Sequence, residues 1–167
     1  VDESRRALAW LAREGGTHGA TPARIVVGGH SAGGHLTAMM YTADWRAAGF
    51  AAPPFHGGVS LSGLHDLRPL TLFSANADWK LDDAEATRMS PALANPASLP
   101  LVVAVGAGET PEFVRQSQLL WDAWPAARPA GAHGILAIAR RHHFDVVFDY
   151  TDPRSALTQA TLALFDA

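Results

Sequence analysis

Apolar residues along this chain follow two patterns that alternate with each other. In some segments they recur every three or four residues, as on one face of a helix, and in others they form short unbroken runs, as in strands buried on both faces. The helical pattern predicts helices over residues 3–14, 32–44, 82–89, 111–124 and 153–165. The unbroken runs predict strands over residues 24–30, 57–62, 101–105 and 135–139.

Strands that alternate with helices at this spacing predict crossover connections and therefore a parallel sheet covered by helices. The expected fold class is α/β, a three-layer αβα sandwich with about four parallel strands in a single domain over residues 1–167. The strand over 24–30 lacks polar alternation, so we expect it to be buried on both faces. Residues 63–72 are expected to form a loop with at most one helical turn, and the Ala-rich stretch 123–132 a surface loop.

One predicted strand–helix junction carries a chemically informative motif. Residues 29–33 read G-x-S-x-G, with Ser31 at the centre. In a nucleophile elbow the serine is held exposed on a sharp turn, within reach of a histidine. We expect Gly29 and Gly33 to flank the turn because a Cβ there would collide with neighbouring backbone. The N–H of Ala32, at the start of the helix, is the expected donor to a developing oxyanion.

A serine nucleophile requires a histidine base, which in turn requires an orienting acid. In open α/β sheets such groups lie just past the carboxyl ends of strands. The fourth predicted strand leads to His142 and His143, and the third leads to Glu109. We expect His143 to be the base, with His142 as the alternative, and Glu109 to be the acid.

Two other carboxylates remain candidates for the catalytic acid. Asp66 follows the second predicted strand, and its ordinary role would be to fix the adjoining loop, with Arg68 as an ion partner. Glu112 lies in the first turn of a predicted helix, where the helix dipole favours a carboxylate without any catalytic role.

The substrate pocket has three candidate residues. His30 lies beside the serine, too close along the chain to reach its hydroxyl, and His65 follows the second predicted strand. Leu64 begins a loop rich in apolar residues that extends to residue 80. The ordinary role of these apolar side chains would be to pack the loop onto the sheet.

Composition excludes several classes of function. With 48% apolar and 17% charged residues the chain is typical of a globular domain, and its net charge of -3 without a basic block gives no indication of nucleic acid binding. There is no cysteine, and the histidines match no metal-binding spacing, so we expect no metal and no cofactor. No apolar run approaches the roughly 18 residues of a membrane span, and no signal peptide is visible, which predicts a cytoplasmic protein.

Four segments together resemble the kynurenine formamidases (arylformamidases) and the related carboxylesterases of the α/β-hydrolase fold. They are Gly-His-Ser-Ala-Gly-Gly-His-Leu (29–36), Ser-Gly-Leu-His-Asp-Leu-Arg-Pro-Leu (62–70), Glu-Thr-Pro-Glu-Phe-Val-Arg-Gln-Ser (109–117) and His-His-Phe-Asp-Val-Val (142–147). The resemblance implies the α/β-hydrolase fold, Ser31 as nucleophile and His143 as base. Glu109 falls where that family usually carries an aspartate acid.

The resemblance also implies a small-molecule substrate. N-formyl-kynurenine, an intermediate of tryptophan catabolism, or another small formamide or ester is expected, and a general short-chain carboxylesterase is the alternative. An alternative of another class is a non-catalytic or inactive, truncated hydrolase-like module.

The family's His-Gly-Gly oxyanion motif, expected upstream of residue 1, has no counterpart before the elbow. His56-Gly57-Gly58 comes after the serine and leads into a strand, so we interpret it as a coincidence. No strand is predicted before residue 24, which makes this a partial α/β-hydrolase domain with an unpaired elbow strand. We therefore expect residues 1–167 alone to be poorly soluble or to associate, for example as a homodimer, and to have little activity.

Overall fold

The computed structural model describes residues 1–20 and 24–166. Within them, four strands form one parallel sheet in the spatial order β1-β2-β3-β4. The strands are β1 (Val26–His30), β2 (Gly57–Leu61), β3 (Leu101–Gly106) and β4 (Leu136–Ile138). Because all of them run the same way, their carboxyl ends meet at one edge of the sheet, where the predicted site residues follow.

The predicted helices are present, with small shifts at their ends. The described part of the chain forms α1 (Asp2–Glu14), α2 (Ala32–Thr42), α3 (Asn76–Trp79), α4 (Asp83–Arg88), α5 (Pro111–Ala123) and α6 (Ala156–Ala163). Short 3-10 turns lie at Gly15–His18, Arg68–Leu72, Pro91–Leu93, Pro125–Ala127 and Val146–Thr151. No helix in this part of the chain is long and apolar enough to cross a membrane.

Two element predictions need correction. The last helix begins at Ala156 instead of residue 153, because the Ser155 hydroxyl caps it by accepting a hydrogen bond of 3.1 Å from the Thr158 N–H. The Ala-rich stretch 123–132 does not lie wholly on the surface. Ala127 is 2% exposed and belongs to the core, because its 3-10 turn packs beside Trp124.

The helices lie on both faces of the sheet, which confirms the predicted αβα sandwich. On one face, residues of α1, α2 and α5 pack on Leu101 and Val103 of β3. On the other face, α6 and the 3-10 turn at 146–151 pack on Val102 and Ala104 of the same strand. Successive β3 side chains therefore enter opposite cores, and this is why that strand reads as an unbroken apolar run.

The prediction that the elbow strand is buried on both faces is wrong. Every residue of β2 and β3 is buried, whereas β1 is half-buried and its Gly28 is exposed. The reason is position, since in the described residues β1 pairs with β2 and with no further strand. An edge strand has one row of backbone groups outside the sheet and less cover over its side chains.

Candidate active site

Ser31 occupies a strained turn between β1 and α2. Its backbone has φ 58° and ψ −118°, a conformation that costs a non-glycine residue roughly 1–3 kcal/mol. Two hydrogen bonds hold it there. The Ser31 N–H donates to the carbonyl of Leu61 at 2.9 Å, and the Ser31 carbonyl accepts from the His35 N–H at 3.1 Å. The turn thus anchors the serine backbone to β2 and to α2 and leaves the hydroxyl available to other groups.

The glycines around Ser31 allow close approach of backbone. A Cβ on Gly29 would lie 2.3 Å from the carbonyl oxygen of Gly33, so the expectation for Gly29 is confirmed. The expectation for Gly33 is wrong, because a Cβ there would meet nothing within 4 Å. Sequence reasoning missed Gly34, where a Cβ would lie 2.9 Å from the Cα of Gly63. Helix α2 therefore packs directly against the loop that follows β2.

The structure brings Ser31, His143 and Glu109 into one line of hydrogen bonds. The Oγ of Ser31 lies 3.0 Å from Nε2 of His143, and Nδ1 of the same imidazole lies 2.7 Å from Oε2 of Glu109. Since a carboxylate accepts, Nδ1–H is the donor to Glu109 and Nε2 is left as the acceptor for the serine hydroxyl. That tautomer is the one a general base requires.

Aromatic rings hold the imidazole of His143 in place. Phe113, in the first turn of α5, stacks on it with centroids 4.0 Å apart and 23° between the planes. Phe144 meets it edge-on at 5.5 Å, and the His30 ring lies at 4.5 Å. Stacking of this kind limits rotation of the ring, so the two nitrogens stay directed at Ser31 and Glu109.

The side chain of Glu109 is completely buried, and its other carboxylate oxygen is also bonded. Oε1 accepts from the Gly106 N–H at 2.8 Å and from the hydroxyl of Ser62 in a short hydrogen bond. A buried carboxylate without partners would be costly, and here both oxygens have donors. Sequence reasoning missed Ser62, which lies 47 positions from Glu109 along the chain.

The alternative acids lie in ion pairs of their own. Asp66 binds the guanidinium of Arg68 with both oxygens at 2.9 Å, and these hydrogen bonds hold the pKa of Asp66 below its usual range. Glu112 pairs with Arg115 at 2.7 Å, which likewise lowers the pKa of Glu112. Both carboxylates are thus engaged with cations two or three residues away.

The alternative base, His142, points to solvent. Its side chain is 59% exposed, and its Nδ1 accepts from the Phe144 N–H at 3.1 Å. The two adjacent histidines therefore differ in environment, with His143 directed inward to Ser31 and His142 directed outward.

Ala32 is the first residue of α2, directly after Ser31. The N–H groups of the first helical turn have no partner within the helix, and they lie at its positive end. This is the position from which a donor to an oxyanion is expected, so the assignment of Ala32 stays a prediction. Among residues 1–20 and 24–166, no cluster of three or more His, Asp or Glu side chains is arranged to hold a metal ion.

Comparison with known proteins identifies the family. The alpha/beta hydrolase fold family matches residues 1–87 of this chain. The chain belongs to that family. It is similar to the kynurenine formamidases of Danio rerio, at 30% identity, and Salmo salar, at 31%, each over 143 residues. The matches cover 81% of this chain but 47% and 48% of those proteins, so the chain spans about half the length of the curated relatives it matches.

Solved structures agree with the fold of this α/β hydrolase. A candidate thioesterase from Silicibacter sp. TM1040 is 31% identical with a TM-score of 0.73, over 93% of this chain and 57% of that one. The thermostable carboxylesterase EstE1 from a metagenomic library is 19% identical with a TM-score of 0.67, over 95% and 60%. At 19% identity the likeness to EstE1 shows the fold alone.

The three candidate pocket residues of this α/β hydrolase lie in different environments. His30 faces the His143 ring, and burial, together with that neighbouring imidazole, holds the pKa of His30 below its usual value. Leu64 is half-buried in the loop after β2. His65 is 0% exposed, so the prediction that it lines the pocket needs correction. Its Nε2 lies 3.2 Å from the Ser60 hydroxyl, inside the protein.

The loop after β2 is held by a buried glutamine that sequence reasoning did not single out. Gln116 of α5 accepts from the N–H groups of His65 and Asp66 at 2.7 and 2.8 Å through Oε1. Its Nε2 donates to the Asp66 carbonyl at 2.9 Å. Two of the segments that carry the formamidase resemblance, 62–70 and 109–117, are therefore joined by one side chain. Phe113, three residues before Gln116 on the same helix, stacks on His143. The hydrogen bonds of Gln116 therefore hold the loop against the helix that also contacts the imidazole.

The buried His65 predicts a specific pH dependence of stability. Burial, with a smaller effect of nearby His35, lowers the pKa of His65 to about 3, whereas an unfolded histidine titrates near ~6.5. Below about pH 6.5, His65 is protonated in the unfolded chain but stays neutral in the native protein. The contribution of His65 to the free energy of unfolding therefore falls as pH falls. Between pH 7.5 and 5.0 the expected loss is about 2 kcal/mol.

Urea unfolding of the full-length protein at these two pH values measures the effect. The variant His65→Gln removes the titrating group, and its loss between pH 7.5 and 5.0 should be clearly smaller, with the residual part due to other histidines such as His35. An equal loss of unfolding free energy in the parent protein and in His65→Gln would show that His65 does not cause this pH dependence.

Proposed function

We propose that this α/β hydrolase is a serine hydrolase that cleaves a small ester or formamide through Ser31, His143 and Glu109. The observation that carries the proposal is the unbroken line of hydrogen bonds, 3.0 Å from Ser31 to His143 and 2.7 Å from His143 to Glu109. These distances lie within the range that nucleophile–base and base–acid pairs require.

In the first half of the reaction, the Oγ of Ser31 attacks the carbonyl carbon of the substrate while Nε2 of His143 takes the hydroxyl proton. Glu109 stabilises the imidazolium through Nδ1–H. The negative charge on the carbonyl oxygen is met by the N–H of Ala32 at the start of α2. When the tetrahedral intermediate collapses, His143 gives its proton to the leaving amine or alcohol, and the acyl group stays on Ser31 as an ester.

In the second half, water takes the place of the leaving group. His143 removes a proton from the water, which attacks the acyl carbon, and a second tetrahedral intermediate forms. Its collapse returns the proton to Ser31 and releases the carboxylic acid, which is formate when the substrate is a formamide. Each turnover consumes one water, and Ser31, His143 and Glu109 return to their starting states.

For the substrate we propose an aryl formamide of the N-formyl-kynurenine type. The similarity to kynurenine formamidases supports this, at about 30% identity over most of the chain. Phe144 adds support because it lies against His143 and is 82% exposed, which offers an aromatic surface beside the base. The second candidate is hydrolysis of simple esters or thioesters, which the 31% identical candidate thioesterase favours.

The substrate proposal predicts a preference that steady-state kinetics can measure. For the full-length protein we expect kcat/KM for N-formyl-kynurenine to exceed that for p-nitrophenyl acetate by at least about tenfold, or ~1.4 kcal/mol of transition-state stabilisation. The variant Ser31→Ala supplies the background rate for each substrate. Equal or faster turnover of the acetyl ester would favour a general carboxylesterase instead.

A further inference from the structure

Ser62 contacts the acid, Glu109, through the carboxylate oxygen that does not face His143. It has no part in the reaction steps above. It follows β2, is 0% exposed, and donates its hydroxyl proton to Oε1 of Glu109. Its own N–H donates to the Ala104 carbonyl of β3 at 2.7 Å. The residue is thereby fixed to two strands, and the position of its hydroxyl is set by the sheet.

The backbone of Ser62 is in a conformation that favours glycine. Its φ is 51°, in the left-handed region that serine rarely occupies. A glycine would adopt this backbone at lower cost. What serine adds at this position is the hydroxyl, and the hydrogen bond that the hydroxyl makes is to Glu109.

Glutamate needs such a partner more than aspartate would. It has one more rotatable bond, so more conformers must be excluded before one carboxylate oxygen faces the imidazole. Here Ser62 and the Gly106 N–H hold Oε1, which leaves Oε2 directed at Nδ1 of His143.

We propose that Ser62 is a positioning residue for the catalytic acid. By holding Oε1 of Glu109, it fixes Oε2 against His143 and so keeps Nε2 of the imidazole aligned with Ser31. The inference rests on the proposed function, because it requires His143 and Glu109 to activate Ser31.

The test measures activation of Ser31 without assuming a substrate. The second-order rate of labelling by a fluorophosphonate reports the nucleophile itself, and kcat and KM on a hydrolysed ester or formamide are measured beside it. In Ser62→Ala and Ser62→Gly we expect the labelling rate and kcat to fall about tenfold, the size expected when a hydrogen bond to a charged group is lost. KM should stay within about twofold, because Ser62 acts on the acid and not on the bound substrate.

Two comparisons separate positioning from a purely structural role. Ser62→Gly relieves the strained backbone yet lacks the hydroxyl, so equal losses in the glycine and alanine variants support the proposal. Recovery of activity in the glycine variant would overturn it. Ser60→Ala is the matched control, since Ser60 is another fully buried serine two residues earlier, whose hydroxyl bonds Gly34 and His65. It should lower the melting temperature and leave kcat unchanged.

A double-mutant cycle identifies the route of the effect. If Ser62 acts through Glu109, adding Ser62→Ala to Glu109→Ala should cause no further loss of labelling rate or kcat. A full further tenfold loss in the double variant would overturn the proposal. Failure of the proposed function is a different result, namely no labelling of Ser31 in the unaltered protein.

Discussion

Replacing Ser31 by alanine in the full-length protein is expected to lower kcat by roughly 10⁴–10⁶-fold, and His143→Ala should cause a loss of similar size. The reason is that the serine and the imidazole act as a unit. In the proposed reaction the proton moves from Ser31 to His143 along their hydrogen bond of 3.0 Å, so losing either partner removes the same step. Neither change should alter the fold greatly, since both side chains lie beyond the carboxyl ends of the strands and belong to neither core.

The measurement is steady-state hydrolysis together with fluorophosphonate labelling. The unaltered protein should be labelled at Ser31, and Ser31→Ala should not be labelled. His142→Ala is the matched control, because it removes the neighbouring imidazole, which is 59% exposed and lies beside Asp145. Near-normal activity is expected for that control. If His142→Ala abolished turnover and His143→Ala did not, the assigned base would be wrong. An unlabelled parent protein would favour a non-catalytic hydrolase-like module.

Glu109→Gln and Glu109→Ala are expected to cause the second largest effect, a loss of roughly 10²–10⁴-fold in kcat. Glutamine has nearly the same shape but no charge, so it no longer stabilises the imidazolium through Nδ1–H. The loss should be smaller than that of Ser31→Ala, because the nucleophile and the base remain in place. Both variants should be compared with the parent protein by kcat and by thermal melting.

The control carboxylates are Asp66 and Glu112. Asp66→Asn weakens the pair with Arg68, and Glu112→Gln weakens the pair with Arg115, so each should lower stability slightly and leave kcat near normal. If Asp66→Asn abolished turnover while Glu109→Gln left it near normal, Glu109 would not be the acid.

The elements and the nucleophile turn could be predicted because their signals are local. In β3 every residue is apolar or glycine and every residue is buried, so the unbroken run identified the strand directly. The motif at residues 29–33 is contiguous. Its Gly29 is required because a Cβ there would collide with the backbone of Gly33, four residues later. Strand propensity, turn glycines and the start of a helix all depend on near neighbours along the chain.

The acid remained open at the level of sequence, although part of the answer was present there. Glu112 and Arg115 stand three residues apart on one helix, the spacing of a surface ion pair. Arg68 stands two residues after Asp66 and engages both of its oxygens. These local cations indicate an ordinary ion-pair role for both carboxylates, which the sequence analysis recognised for Arg68 but not for Arg115. They do not show which carboxylate faces His143.

The sequence by itself determined the α/β class, the alternation of strands and helices that gives a parallel sheet, and the serine elbow. It also limited the catalytic base and acid to a few candidate residues. The tertiary structure decided which of these candidates meet. It also showed that His65 is inside the protein, that β1 is half-exposed, and that Ser62 bonds Glu109 across 47 positions of the chain. The physical reason is that burial and such hydrogen bonds depend on how crossover connections bring distant strand ends together, and periodicity along the chain does not contain that information.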